Sequence, residues 1–220
     1  MVKSINARSL ASVLFVACML PLVASCSGGD QGSSERRHIA NNFSDLVITA
    51  LNDPNLEEFD TDVLRRAKDS GRIDQADYDE AYSRFGNCMA DSGKPITLTR
   101  LSNGLYRVEN TPLSDGESIQ SAMSIVTRCA QGTTNVISEL YGIQQGNPEL
   151  LTNPYEIAHK CLETKGLVDA SFSFDDLRKA IGSEVSGGNA LKDRVPFDPY
   201  GDEAQACFVG ANMTIVKATP

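Results

Sequence analysis

Four cysteines in the C-terminal two thirds of the chain constrain its fold more than any other feature. Cys88, Cys129, Cys161 and Cys207 lie far apart from one another in the sequence. A structural zinc site uses closely spaced ligand pairs such as Cys-x-x-Cys, and none occurs here. Four cysteines in an exported chain indicate two disulfides, with three alternative connectivities. We therefore predict two disulfides and no metal site, provided that the chain folds outside the cytoplasm.

The N-terminus predicts that the chain is exported. Lys3 and Arg8 are basic, and residues 9–25 carry no charged side chain. A basic start, a short apolar run and small residues at its end are typical of a secretory signal peptide. A membrane-spanning helix needs about 20 apolar residues, and Pro21 and several serines interrupt this run. Residues 1–25, with Cys18, are thus predicted to be a signal peptide.

The last residues of this run are more specific. Leu22-Val23-Ala24-Ser25-Cys26 resembles the lipobox of bacterial lipoproteins. In that class the cysteine becomes the first mature residue and its sulfur is lipidated. The resemblance implies that acylated Cys26, with palmitate-type chains, anchors the protein to the outer face of the cell membrane. The alternative is ordinary cleavage that leaves Cys26 as a thiol.

The segment after Cys26 and the charge of the chain fit such an anchor. Residues 26–37 are rich in Gly and Ser and are predicted to be a flexible tether. The net charge is −9, from 20 basic and 29 acidic side chains. This balance argues against nucleic acid as a partner, because phosphate binding needs a basic surface. An acidic domain is not attracted to anionic lipid either, so the lipid itself must provide the anchoring.

Two similar segments suggest how the cysteines pair. Tyr82-x5-Cys88 and Tyr155-x5-Cys161 are each followed five residues later by a glycine, which is typical of a helix C-terminus. We interpret them as a weak internal duplication within one domain, 38–220, with halves 38–145 and 146–220. Pairing inside each half, Cys88–Cys129 and Cys161–Cys207, is then favoured. The cross-pairing Cys88–Cys161 with Cys129–Cys207 stays open.

The spacing of apolar residues predicts a helix-dominated α+β fold of several amphipathic helices and one β-hairpin. Helices are predicted over 39–51, 54–70, from Asp74, over 116–144 with a kink at Gly132, and from Asn153, Ser173 and Asp202, with Asp202 as the residue that caps the last helix. Asn103-Gly104 lies between two alternating segments and predicts a hairpin with a two-residue type I′ turn. Residues 213–217 are predicted to form a final strand.

No catalytic or cofactor-binding pattern is present. His38 and His159 stand apart from any serine or cysteine nucleophile pattern, and no phosphate-binding glycine motif occurs. We predict no catalytic residues, no metal and no cofactor. Acidic residues cluster on two predicted helices, and we interpret them as a solvated face; they are Glu57, Glu58, Asp60, Asp62, Asp74, Asp77, Asp79 and Glu80. The alternative is a cell-envelope hydrolase, which requires two facing carboxylates about 5–9.5 Å apart.

Beyond the lipobox, the chain is loosely similar to small uncharacterised surface lipoproteins of Gram-positive bacteria. The Tyr-x5-Cys-x4-Gly helix end carries this resemblance. It implies a protein class and no mechanism. We expect a binding or accessory module at the cell surface, rather than an enzyme, with an envelope protein or wall component as its partner.

Overall fold

The computed structural model describes residues 38–185 and 191–216. These residues form eight α-helices and one antiparallel hairpin, which confirms the predicted helix-dominated α+β fold. The elements are α1 (Phe43–Ala50), α2 (Glu58–Ser70), α3 (Gln75–Asp91), β1 (Ile96–Arg100), β2 (Tyr106–Asn110), α4 (Ile119–Ala130), α5 (Asn135–Gly146), α6 (Pro154–Thr164), α7 (Phe174–Val185) and α8 (Asp202–Gly210). Cys26 and the predicted signal peptide and tether, 1–37, lie outside the described residues.

The apolar residues form two clusters that follow one another along the chain. The first core draws on α1 to α5 and the hairpin, with Val47, Leu64 and Ile137 fully buried. The second core draws on α6, α7 and α8, with Leu162 and Phe208 fully buried. Each such side chain contributes about 1.5–3 kcal/mol on burial. Each core is therefore large enough to hold its own helices together.

Each core contains one disulfide. Cys88 is bonded to Cys129 and Cys161 to Cys207, with Cα–Cα distances of 5.5 and 5.4 Å. The favoured pairing is confirmed, and the cross-pairing is wrong. Both bonds join the C-terminal turn of one helix to a helix further along the chain: α3 to α4 in the first core, and α6 to α8 in the second.

The helix ends beside these disulfides have the same backbone geometry. Gly93 and Gly166 have φ values of +75° and +70°, in the left-handed region where glycine is favoured. The next amide after each glycine donates to a carbonyl five residues earlier, Lys94 to Met89 at 2.8 Å and Leu167 to Leu162 at 2.9 Å. This is the Schellman motif, so the predicted glycine stops are confirmed. The duplication itself stays a prediction.

The predicted long helix over 116–144 is wrong, because the chain forms two helices there. The break between α4 and α5 contains Gly132, whose φ is +69°. A Cβ at this glycine would lie 2.6 Å from Cγ of Glu57. The packing of this loop against the start of α2 therefore turns the expected kink into a full interruption.

The hairpin is confirmed, but the predicted two-residue turn is wrong. Arg100 and Tyr106 form the last strand pair, and the amide of Gly104 donates to the carbonyl of Leu101 at 2.9 Å. Gly104 has a positive φ of +82°, whereas Asn103 does not, which excludes a type I′ turn. The side chain of Asn103 donates instead to the carbonyl of Ala206 in α8 at 2.8 Å. This tertiary contact favours a different turn from the one the local sequence predicts.

The first two helices begin later than predicted because side chains cap them. Asn42 accepts a hydrogen bond from the amide of Asp45 at 2.9 Å, so α1 begins at Phe43 and not at residue 39. Glu57 and Asp60 form a capping box, in which each side chain accepts from the backbone amide of the other. This box starts α2 at Glu58 and not at residue 54.

Two predictions near the C-terminus also need correction. Gly201, not Asp202, is the residue that caps α8, and Asp202 is its first helical residue. Residues 213–216 form no strand, and residue 217 lies outside the described residues. The side-chain amide of Gln205 donates to the carbonyl of Ile215 at 3.1 Å, and this contact fixes the segment against α8 without a partner strand.

The last turns of α5 and α8 meet through two glycines, a contact that we call the seam. A Cβ placed on Gly146 would lie 2.2 Å from the carbonyl oxygen of Gly210, and one on Gly210 would lie 2.8 Å from Cα of Gly146. Val209, the neighbour of Gly210 in α8, packs against the first core. The seam therefore sets the distance between the two cores.

Two glycines of α5 provide a matched test of the seam. A Cβ on Gly142 meets no atom within 4 Å, so Gly142→Ala should raise the free energy of unfolding by about 0.5–1 kcal/mol through helix propensity. Gly146→Ala should lower it by about 1–3 kcal/mol through overpacking. Urea unfolding followed by circular dichroism measures both. Equal stabilisation by the two changes would contradict the seam.

Removal of one disulfide should destabilise the core that contains it. The 41-residue separation of Cys88 and Cys129 corresponds to on the order of 4 kcal/mol of chain entropy. We expect Cys88→Ala with Cys129→Ala to lower the free energy of unfolding by about that amount. Peptide mapping without reductant should recover Cys161 linked to Cys207 in this variant. A peptide that links Cys88 to Cys161 in the unaltered protein would contradict the pairing.

Candidate functional site: two clefts between the cores and an acidic cavity

The larger cleft between the two cores has a volume of about 580 Å³, and we call it the tyrosine cleft. Its apolar lining comes from both cores and includes Tyr78, Tyr82, Leu105, Ile143, Ile157 and Val209. Exposed polar side chains also line it, namely Glu139, Thr152 and Asn212. Small-molecule sites are mostly apolar clefts of about 300–1,000 Å³ with a few polar groups. The tyrosine cleft fits this description.

Stacked tyrosine rings hold one wall of this cleft in place. The Tyr78 ring centroid lies 4.2 Å from that of Tyr141, 4.9 Å from that of Tyr82 and 5.7 Å from that of Tyr106. The Tyr78 hydroxyl accepts a hydrogen bond from the Tyr106 amide at 3.0 Å. Burial raises the pKa of Tyr78 far above its usual range, so its hydroxyl is neutral at physiological pH. Tyr78, Tyr82 and Tyr141 are buried in the first core.

An ion pair fixes Tyr106 at the edge of the stack. Arg100 donates to Asp79 at 2.6 Å and to the Tyr106 hydroxyl at 2.7 Å, and its guanidinium lies 4.9 Å from the centre of the Tyr106 ring. Burial alone would raise the pKa of Asp79, but the hydrogen bonds from Arg100 and Gln75 outweigh it and lower this pKa. Asp79 thus stays ionised and keeps Arg100 in position.

A smaller cleft of about 320 Å³ also lies between the cores, and we call it the lysine cleft. Lys160, Lys165 and Glu149 line it, together with Cys161 of the second disulfide. Lys160 is ion-paired with Glu149. Each of the two clefts contains a single carboxylate, Glu149 here and Glu139 in the tyrosine cleft. Neither cleft therefore offers the facing pair of acids that a glycoside hydrolase needs.

Five of the eight acidic residues that cluster in the sequence around α2 and α3 form ion pairs with arginines. Their ion pairs are Asp62–Arg65, Arg66–Asp77, Arg72–Asp74, Arg84–Glu80 and Arg100–Asp79. Such exposed pairs contribute little to stability, about 0–1 kcal/mol each. Asp62, Asp74 and Glu80 are exposed, in agreement with the solvated-face interpretation, whereas Asp77 and Asp79 are half-buried and Asp60 is buried.

Asp60 is 2 % exposed and carries a carboxylate oxygen with no partner. Its Oδ2 accepts from the amide of Glu57 at 3.4 Å, while Oδ1 has no hydrogen-bond partner. Asp60 lines a cavity of about 530 Å³ together with Asp53, and we call it the acidic cavity. Burial, and the nearby charges of Glu57 and Asp53, raise the pKa of Asp60 against the opposing effect of its backbone hydrogen bond. The burial of Asp60 was not predicted, although its spacing of three and four residues from Val63 and Leu64 places it on the apolar face of α2.

The remaining candidates from the sequence are not brought together. His38 is hydrogen-bonded to the carbonyl of Glu149, and His159 to that of Phe172. Within residues 38–185 and 191–216, no three His, Cys, Asp or Glu side chains are arranged to hold a metal ion. No helix in this part of the chain is long and apolar enough to cross a membrane. The four core cysteines form disulfides and act as structural residues.

Comparisons with known proteins add no family to this description. The family models, the curated proteins and the solved structures that were searched contain no match to this chain. The clefts and the acidic cavity are therefore the basis for any functional proposal.

The buried carboxyl of Asp60 gives a stability prediction with a defined sign. Its pKa is raised above the usual 3.8, so the folded state binds a proton more tightly than the unfolded chain does. Its effect on the free energy of unfolding therefore becomes unfavourable as the pH rises through the two pKa values. We expect Asp60→Asn to raise that free energy at about pH 7 by on the order of 1 kcal/mol. This gain should shrink as the pH falls from about 7 toward 4, because Asp60 is then protonated in the folded state.

Asp62→Asn is the matched control, because Asp62 lies on the same helix and is exposed. Urea unfolding between about pH 4 and pH 7 should show no more than about 0.5 kcal/mol of change for it. If Asp60→Asn is less stable than the unaltered protein at every pH, the prediction is wrong, because favourable interactions of the carboxylate then outweigh the cost of burying its charge.

Proposed function

We propose that this chain is a lipid-anchored extracytoplasmic binding module whose ligand or partner group occupies the tyrosine cleft. The observation that carries the proposal is the cleft itself, which has an apolar lining from both cores and exposed polar side chains. The recognised group has an apolar or aromatic body and polar substituents. It belongs to a small ligand, an envelope protein or a wall component.

The fixed wall of the cleft supports binding rather than simple packing. Tyr78, Tyr82 and Tyr106 contact one another within 6 Å between ring centroids. Because these rings are held by their own contacts, they lose little freedom when a ligand arrives. A preformed site avoids much of the ordering cost that weakens binding.

The anchoring part of the proposal rests on the N-terminal sequence and the disulfides. Cys26 follows a segment that resembles a lipobox, and its acyl chains would insert into the bilayer. The two disulfides support export, because such bonds persist in oxidising compartments. The predicted partner of Cys26 is the membrane lipid, at the outer face of the cell membrane.

The carboxylate-pair hydrolase remains the alternative proposal. The acids available to it are Asp53 and Asp60, which line the same cavity. Asp60 has a raised pKa, as a general acid requires. Hydrolysis of wall polysaccharide that is abolished by Asp60→Asn and by Asp53→Asn would favour the hydrolase over the binding module.

The lipid anchor can be tested on the mature protein. We expect mass spectrometry of membrane-extracted protein to find Cys26 as the first residue with diacylglycerol on its sulfur. Cys26→Ala should remove the lipid and release the protein from the membrane fraction. An unmodified Cys26 at the N-terminus, or a mature N-terminus elsewhere, would contradict the anchor.

A matched glycine pair can test the tyrosine cleft. Gly142 lines the cleft, Gly86 is not among its lining residues, and a Cβ at either meets no atom within 4 Å. We expect Gly142→Leu to weaken binding of the apolar dye 8-anilinonaphthalene-1-sulfonate at least about tenfold, the equivalent of 1.4 kcal/mol. Gly86→Leu should leave it unchanged. Equal dye binding by both variants would contradict a ligand in this cleft.

A further inference from the structure

We propose that the acidic cavity beside α2 binds a primary ammonium group on an alkyl stem, as in an aliphatic amine or a lysine side chain. This site is separate from the tyrosine cleft and does not depend on it. The proposal rests on a buried carboxylate without a partner, a second carboxylate on the same cavity and apolar walls of suitable length.

Asp60 provides the first of these features. Its Oδ1 is buried and has no hydrogen-bond partner, and Asp60 lines the cavity. No described residue forms an ion pair with Asp60 or with Asp53. A buried charge without compensation costs several kcal/mol, and a cation placed beside it removes most of this cost. The cavity therefore lacks a positive charge.

A proton alone does not satisfy this oxygen. A proton on Oδ2 leaves Oδ1 as an acceptor without a donor, and a proton on Oδ1 turns that oxygen into a donor that itself needs a partner. An ammonium group supplies three N–H donors, enough for Asp60 and Asp53 together. Asp53 is exposed and its Oδ1 already accepts from the amide and side chain of Asn55, both at 2.9 Å, so its other oxygen is available at the solvent side.

The remaining walls match an alkyl stem. Leu56, Val126, Ala130 and Val136 are half-buried and line the cavity. Methylene groups of a lysine-like chain pack on such surfaces while the charged end reaches a polar partner. The side chains of Gln131 and Asn135 are exposed on the same cavity and offer further oxygen acceptors.

A divalent cation fits this cavity less well. Calcium takes six to eight oxygen ligands, and magnesium needs an octahedral set. The third nearby carboxylate, that of Glu57, caps the start of α2, and its Cγ packs toward Gly132. The described residues also contain no three acidic, histidine or cysteine side chains arranged for a metal. An ammonium ion needs only the two carboxylates and neutral oxygens that are present.

Thermal unfolding and calorimetric titration of the full domain test this proposal with n-butylammonium chloride as the probe. We expect this probe to raise the melting temperature of the unaltered protein and of Asp62→Asn, but not of Asp60→Asn. The neutral analogue 1-butanol should have no effect. Asp53→Asn, at an exposed residue that leaves the fold intact, should weaken the binding of the probe at least about tenfold, the equivalent of 1.4 kcal/mol.

Two further probes separate the sources of the ammonium group and the rival ion. Nα-acetyl-lysine-N-methylamide that binds as tightly as butylammonium indicates a lysine side chain of a partner, and weaker binding indicates a free amine. Calcium chloride could raise the melting temperature of the unaltered protein but not that of Asp60→Asn, while butylammonium raises neither. That result would overturn the proposal in favour of a metal site. If no probe changes the melting temperature, the ammonium proposal is overturned, and Asp60 is then a neutral carboxyl without a ligand.

Discussion

The contact between Gly146 and Gly210 sets the arrangement on which both clefts depend. With no side chain between them, the last turns of α5 and α8 meet backbone to backbone. Gly142 and Val209, near this contact, line the tyrosine cleft, while Gly146 and Ala206 line the lysine cleft. A larger residue at the seam would separate the cores and change the width of both clefts at once. Two glycines, which have no side chains, thus determine the width of both clefts between the cores.

The disulfides stabilise each core but do not join the cores to each other. Cys88–Cys129 and Cys161–Cys207 each close a loop within one core. The contacts between the cores include the seam and two hydrogen bonds. The Asn103 side chain donates to the carbonyl of Ala206, and the Ile39 amide donates to the carbonyl of Leu150. A ligand that contacts both cores in the tyrosine cleft would strengthen this non-covalent junction, because it binds only when the cores are correctly placed.

Local sequence patterns were sufficient for much of this fold, and tertiary contacts account for what they missed. Helical faces and the glycine stops at Gly93 and Gly166 depend on nearby residues, so periodicity and the repeated cysteine spacing predicted them correctly. The prediction of the hairpin turn was wrong because the side chain of Asn103 donates a hydrogen bond to a carbonyl of α8. Spacing alone also cannot distinguish Gly142, which has free space, from Gly146, which has none. Asp60, by contrast, could have been distinguished from the exposed Asp62, because only Asp60 lies at helical spacing from the apolar Val63 and Leu64.

The net negative charge of the chain does not show which carboxylates are available to a ligand. Asp77, Asp79 and Glu80 are neutralised by arginines at 2.6–2.8 Å, so the net charge of −9 overstates the carboxylates available to a ligand. A diffuse negative surface attracts cations weakly and is screened by salt over about 8–10 Å. A desolvated carboxylate is screened much less. Asp60 is therefore better suited to select a cationic group than the more numerous acids of the surface, and its effect should persist at ionic strengths that abolish theirs.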